Sequence, residues 1–366
     1  MRIGLIVYGS LQQPSGGYLY DRQLVAELRR RGHRVDVISL PWRNYFLHLT
    51  HNFSRSFIEN LRARKLDLLL QDELNHPSLF LLNDRLKREL SIPIVSIVHH
   101  LRSSERHPAL FKGLYRAVER RYLRSVDAFI FNSFTTRRVV KSLLGRLPRH
   151  IVAQPAGDRL RPRISLAALR ARAAQPGPLR VLFLGSLIPR KAPHLLLEAL
   201  RLLPPGTATA VLAGSDTAAP QYARALQADG LGSVTIAGHL GEAQLAHTLR
   251  SSHVLALPSS YEGYGIAYLE AMGFGLPCIG TRAGAAGELI RHGQNGFLIQ
   301  PGDARQLARY LLRLQRDRRL LLRQAKAALR RFSQHPTWRQ SMARAADFLS
   351  LYNLRPTSAS SRRNHD

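Results

Sequence analysis

Short runs rich in Val, Ile and Leu alternate with longer amphipathic stretches along the whole 366-residue chain. Strands buried on both faces read as continuous apolar runs, whereas the helices covering them are apolar on one face only, so this alternation predicts βα units and parallel sheets. In the first half, strands are expected at 2–7, 35–39, 67–70, 94–98, 128–131 and 151–153. Between them the pattern predicts helices at 18–31, 77–90, 108–124 and 135–144; in the first, Leu19, Leu24, Val25 and Leu28 fall on one face. Around 161–178 the alternation breaks into an Arg/Ala/Pro segment ending Gln175-Pro176-Gly177-Pro178, which reads as a linker.

Beyond that segment the alternation restarts, with strands expected at 181–184, 208–212, 234–237, 254–257, 277–280 and 296–299. Helices are expected at 193–203, 220–228, 242–250 and 264–272, with a long one from Asp303 and another at 337–351. The organisation is therefore two α/β domains: residues 1–160, the linker 161–178, and residues 179–335. The helix near 337–351 is expected to return to the first domain, and the polar tail 355–366 to be disordered. Two open parallel sheets bind ligands beyond the carboxyl ends of their strands, which places the site in a deep cleft between the domains.

Composition narrows the class. A hydrophobic fraction of 45% excludes a disordered chain, and no apolar run approaches the roughly 18 residues of a membrane span. The start MRIGLIVYGS lacks the charge and cleavage pattern of a secretory signal, and the single Cys278 can form no internal disulfide, so a reducing cytoplasmic location is expected. The formal net charge is +30, and 48 of the 54 basic residues are Arg. Residues 1–160 hold 27 basic and 13 acidic side chains, residues 161–366 hold 27 and 11, so the excess forms no detachable basic tail. A densely basic stretch, 102–149, places Arg116, Arg120 and Arg124 on one helical face, which either suits an anionic membrane surface or is an Arg bias on a solvated face. A nucleic-acid partner would call for interleaved aromatics and a binding module, and neither is found.

Candidate chemistry concentrates after the strand at 254–257. There the chain runs Pro258-Ser259-Ser260-Tyr261-Glu262-Gly263-Tyr264-Gly265-Ile266 and opens a helix that carries Glu270. Unsatisfied N–H groups of Gly265 and Ile266, with the helix dipole, make an anion site that suits a phosphate. Glu262 either accepts hydrogen bonds from a polyhydroxylated ligand or helps cap the helix; Glu270 either touches the same ligand or is a solvated helix residue. Arg190 and Lys191, following the Gly185 turn, can gather a diphosphate. In the first half, Gly16 and Gly17 open a helix, and His99-His100 closes a strand where α/β sheets place ligand contacts. His99 could donate to a sugar hydroxyl or carry a proton; either histidine could instead be a core residue. No His or carboxylate set has metal-ligand spacing, and no metal or other cofactor is implied.

The segment from Glu262 to Glu270 resembles the E-x7-E motif of retaining nucleotide-sugar glycosyltransferases. With Gly275-Leu276-Pro277, Gly287-Glu288 and Asn295-Gly296-Phe297, it is similar to the donor half of glycosyltransferase family 4. Leu184-Gly185-Ser186-Leu187-Ile188-Pro189-Arg190-Lys191-Ala192 resembles that family's G-R-L-x-x-x-K-G phosphate loop, with Lys191 on the family lysine. It departs from the loop at Ser186, where the family has Arg, and at Ala192, where it has Gly; Arg190 is the candidate to carry the lost charge. Gly16-Gly17 with Arg31-Gly32-His33 is similar to the family's amino-terminal glycine loop, and Val98-His99-His100 to its T-x-H-D element, with His100 in the place of the Asp.

The resemblance implies a GT-B fold of two Rossmann-like domains, an acceptor-side half and a donor-binding half. It further implies a retaining transferase that passes a sugar from a nucleotide-diphosphate sugar to a hydroxyl acceptor, such as a glycan or lipid-linked saccharide of the cell envelope. Implied catalytic residues are His99, Glu262 and Lys191. The implied donor contacts are Gly16, Gly17, Arg190, Lys191, Tyr264, Gly265, Ile266 and Glu270, with Glu262 on the sugar and Glu270 on the ribose. The enzyme would work in the cytoplasm, peripherally on the membrane. A GT-B enzyme of other chemistry, such as an epimerase, and a basic nucleic-acid-binding protein are the alternatives.

Overall fold

The computed structural model describes residues 1–352; the tail expected at 355–366 lies outside the described residues. The first half forms one parallel sheet from β1 (Arg2–Tyr8), β2 (Arg34–Leu40), β3 (Leu68–Asp72), β4 (Ile94–Val98), β5 (Ala128–Phe131) and β6 (Arg149–Val152), in the order β2-β1-β3-β4-β5-β6. The second sheet comprises β7 (Leu179–Leu184), β8 (Ala208–Ala213), β9 (Val234–Gly238), β10 (Val254–Leu257), β11 (Cys278–Thr281) and β12 (Gly296–Ile299), in the order β12-β11-β10-β7-β8-β9. Counted from its own first strand, the second half has the order 3-2-1-4-5-6 of a dinucleotide-binding sheet, with its switch point between β7 and β10. Every strand in the first sheet pairs in parallel, and the same holds in the second.

The period of two along β1 divides the first half's core. Ile3, Leu5 and Val7 face one layer, while Ile6 and Tyr8 face the other. The first layer is completed from the far end of the chain, because helix Trp338–Ser350 buries Trp338, Met342, Ala345, Ala346 and Leu349 in it. At roughly 1.5–3 kcal/mol for each large apolar side chain, this helix is an integral part of the first half. Thr337 and Gln340 form its capping box, and Asp158 accepts from the Trp338 N–H at 3.0 Å, fixing where it starts. His33 also serves packing, its ring meeting the terminal amine of Met1 at 3.3 Å.

Several elements differ from the pattern in the sequence. The 161–178 segment contains helix Leu166–Ala174, capped by Ser165, with Leu169 and Ala173 buried against the second half and Arg172 donating to the Gly275 and Arg250 carbonyls. Only two apolar residues of that helix enter a core, too few to stand out among Arg and Ala. The long helix from Asp303 is two, Ala304–Arg316 and Arg318–Ser333, because Asp317 caps the second through the Leu320 N–H. The 77–90 stretch likewise splits, into His76–Leu79 and Leu82–Leu90. Among the described residues no helix is long and apolar enough to cross a membrane.

Candidate active site

The donor side is built where β10 and β7 end. Helix Ile266–Gly273 starts at Gly265, whose φ of 87° lies in the left-handed region. A Cβ there would also lie 2.4 Å from the Tyr268 ring. No side chain caps this helix, which leaves the Ile266 and Ala267 N–H groups available to a ligand. Glu262 therefore does not act as a cap. It is buried, and its Oε1 accepts from Lys191 Nζ at 2.5 Å and from Ser259 Oγ at 2.7 Å. Burial would raise the Glu262 carboxyl, but Lys191 and Arg190 hold it below the usual carboxylate range. Burial lowers Lys191, and Glu262 offsets part of that effect. The site thus holds a carboxylate and an ammonium side by side.

Glu270 is likewise buried rather than solvated. Its Oε1 accepts from Arg159 Nε at 3.1 Å and Nη2 at 2.8 Å, while Arg159 Nη1 reaches Glu242 at 2.7 Å. Burial raises the Glu270 carboxyl and the Arg159 guanidinium opposes the shift. Tyr264 does not share this face. Its ring is buried, with the hydroxyl 3.2 Å from His335 Nε2, so only its backbone remains for a ligand.

The acceptor-side half closes on this helix. A Cβ on Gly16 would lie 3.4 Å from Ile266 Cδ1, one on Gly17 3.2 Å from His99 Cδ2, and one on Gly263 2.8 Å from the His99 carbonyl. His99, just beyond the end of β4, is therefore brought beside both the glycine loop and the donor loop. Its Nε2 meets Asp21 Oδ1 at 3.2 Å, and its ring stands edge-on to Tyr20. Burial would lower the imidazole, but the charge and hydrogen bond of Asp21, with Asp72 and Glu73, push it up to about 9. His99 is an imidazolium at neutral pH. Glu288 adds a second contact between the halves, accepting from the Phe134 and Thr135 N–H groups at 3.2 and 2.6 Å and from Gln154 at 3.3 Å.

Several site residues carried no signal in the sequence. Asp21, Asp72 and His99 form one close group, and Glu73, His76 and Glu119 form another. In the first, the imidazolium supplies positive charge between two carboxyls. In the second, Glu119 is occupied by the backbone N–H and the hydroxyl of Ser103. Burial raises Asp72 to about 7 and Glu73 to about 8. Asp21 Oδ2 is buried without a hydrogen-bond partner among the described residues, and Glu73 Oε1 faces the His76 ring, whose Nδ1 lies 3.1 Å away. Asp72 and Glu73 stand at the carboxyl end of β3, a ligand-facing position that strand prediction alone could have flagged. Asp21, inside a helix, and Arg159, beside the linker, had no such marker.

Residues 168–331 match the family model for glycosyl transferases group 1, and residues 18–157 match the model for glycosyltransferase family 4. The D-inositol 3-phosphate glycosyltransferase of Streptomyces scabiei (strain 87.22) is 33% identical over 190 residues, which are 46% of this chain and 43% of that protein. The chain spans about half the length of the curated relatives it matches. Sucrose-phosphate synthase from Thermosynechococcus elongatus superposes with a TM-score of 0.80 at 20% identity, covering 96% of this chain and 98% of that one. Anabaena Alr3699/HepE in complex with UDP-glucose gives a TM-score of 0.76 at 20% identity, with 96% and 100% covered. At that identity these likenesses speak for the fold.

Proposed function

Because the chain belongs to glycosyltransferase family 4, with an acceptor-side and a donor-side half on one GT-B frame, we propose that it transfers a sugar from a nucleoside-diphosphate sugar to a hydroxyl acceptor with retention of configuration. The observation that carries this reading is the pair of buried acids, Glu262 and Glu270, along a helix whose first N–H groups are free, with Lys191 at hydrogen-bond distance from the first acid. Glu262 orients the sugar hydroxyls. The Ile266 and Ala267 amides, Lys191 and Arg190 receive the departing diphosphate, so the positive charge for that step comes from the chain itself. Glu270 meets the ribose, and Arg159 opposes the upward pull of burial on its carboxyl and aims it until then. The His99 imidazolium donates to a sugar hydroxyl from the acceptor side. A phosphate oxygen of the leaving group takes the acceptor proton.

The acceptor-side half also presents a surface for a membrane-borne acceptor. Trp42, Phe53 and Leu110 are 59%, 75% and 82% exposed, and Phe46 and Phe111 stand edge-on at 6.4 Å, joining the 42–53 segment to the start of helix Ala109–Arg124. Segments 41–57 and 106–118 contain five Lys and Arg residues and no acid. On this helix Leu110 lies about a quarter-turn, and Phe111 about a half-turn, from the Arg116, Arg120 and Arg124 face. Rings and aliphatic tips flanked by cations suit an anionic bilayer interface.

A thermal-shift panel of nucleoside diphosphates and their sugars tests the donor reading, since a ligand of the native state raises stability by mass action. At least one should raise the melting temperature, and no shift with any of them at millimolar concentration would sink it. Vesicle co-sedimentation tests the surface: binding should need anionic lipid and weaken in a Phe46→Ser, Phe111→Ser double variant.

A further inference from the structure

Two positions at which this chain departs from the glycosyltransferase pattern, His100 and the Ser186/Arg190 pair, are joined by a residue that no motif marks. Glu105 follows the short turn Arg102–Ser104 on the acceptor side. Its Oε1 lies 2.9 Å from His100 Nε2 and 3.2 Å from Arg190 Nε, so one carboxylate oxygen spans the cleft. Arg190 Nη1 donates to the Tyr261 carbonyl at 3.0 Å, and the Arg190 carbonyl accepts from the Ser260 N–H at 2.8 Å. These contacts fix two edges of the guanidinium and leave Nη2 without a protein partner among the described residues. Burial would raise the Glu105 carboxyl, but His100, Arg190 and Arg102 outweigh it and keep it ionised.

We infer that Glu105 is a positioning residue that clasps the two halves together and aims Arg190 at the donor diphosphate. The acid that position 100 lacks is supplied from 105, and the guanidinium that position 186 lacks is supplied from 190. The two relocations form one ion pair, so neither residue does its work without the other. A second consequence is that the acceptor-side loop 99–105 is tied directly to the phosphate loop. The inference rests on the reading of this cleft as a nucleoside-diphosphate site, but the clasp itself can be measured without any ligand.

The test is a double-mutant cycle on Glu105→Gln and Arg190→Ala in the full chain. It is read first as melting temperature without ligand and then by calorimetric titration with uridine 5′-diphosphate. In the ligand-free protein the two losses should not add, as expected of direct partners. Glu105→Gln should weaken uridine diphosphate roughly three- to tenfold, the range of a half-exposed charge-assisted contact, and the double variant should bind no more weakly than Arg190→Ala alone. Adding Ser186→Arg to Arg190→Ala should recover affinity with or without Glu105. Additive losses in the ligand-free cycle, or a Glu105→Gln variant that binds the nucleotide like the wild type, would overturn the proposal. A wild type without affinity for uridine diphosphate would count against that donor base, while the melting-temperature cycle would still decide whether the clasp exists.

Discussion

The two halves solve the same folding problem and spend their residues differently. Both are six-stranded parallel sheets, yet the donor half holds its ligand-facing groups on a single loop and helix after β10, backed by the phosphate loop after β7. Backbone does much of the work there: free amides at the helix start, a left-handed glycine, and one turn carrying Arg190 and Lys191. The first half gathers Asp21, Asp72 and His99 from helix Gly16–Arg30 and the ends of β3 and β4, far apart in the chain. A contiguous cradle suits a fixed diphosphate, whereas a dispersed set of buried side chains can be altered one at a time to suit an acceptor.

The sharpest break of that contrast removes charge from the cradle. Lys191→Ala deletes the cation paired with Glu262 and leaves a buried carboxylate with only the Ser259 hydroxyl as its side-chain hydrogen-bond partner. Turnover should fall about 10²–10³-fold, the usual scale for losing one preorganised group that stabilises developing charge. Steady-state kinetics on a responsive donor checks this. A loss confined to donor KM would mean that Lys191 binds the ground state and does not favour the departing diphosphate.

The same contrast governs what could be read from the sequence. All twelve strands were legible, because central strands buried on both faces read as runs such as Val254–Leu257, and the partly exposed edge strands β2, β6 and β9 still carry Val and Ile in short runs. Lys191, Glu262 and Glu270 stood out through their resemblance to the family's phosphate loop and E-x7-E motif, since their spacing alone left a capping or solvated role open. Their states were not legible: that Glu262 pairs with Lys191, and that Arg159 covers Glu270, depends on contacts across 71 and 111 residues. His99 was legible by its place after a strand, but its imidazolium state depends on Asp21, 78 residues earlier. Helix Arg55–Ala63 was missed because Ile58 and Leu61 alone bury its inner face. The ring of Tyr264 is buried for a similar reason, since its hydroxyl partner, His335, follows the donor sheet by a full helix pair.

A middle-sized effect should come from the acceptor side. Glu73 has a folded-state value near 8 against about 4.5 when unfolded, because burial disfavours its charged form. A carboxyl raised in this way contributes stability that is full below pH 4.5 and is lost as pH rises through 8. Glutamine does not titrate, so Glu73→Gln should gain on the wild type across that window. The advantage should reach a few kcal/mol by pH 9, at about 1.4 kcal/mol per pKa unit, or a melting temperature about 2–5 °C higher. Melting curves at pH 5 and pH 9 decide it. An advantage independent of pH would mean that Glu73 titrates in the folded protein as it does in the unfolded chain, and that the acceptor side holds no poised acid.

The smallest effect probes the one place where the donor cradle departs from its own backbone logic. Ala192 follows Lys191 with φ at 52°, in the left-handed region, where the family pattern has glycine. A Cβ in that region costs roughly 1–2 kcal/mol, while glycine forfeits about 0.4–1 kcal/mol through the freedom it adds to the unfolded chain. The difference favours Ala192→Gly by about 1 kcal/mol or less, a rise of about 1–2 °C. Differential scanning calorimetry resolves a shift of that size. A clear fall instead would show that the Ala192 methyl, which is buried, packs well enough to outweigh the strain, and that in this chain the phosphate loop is held by a side chain where the family pattern relies on a bare backbone.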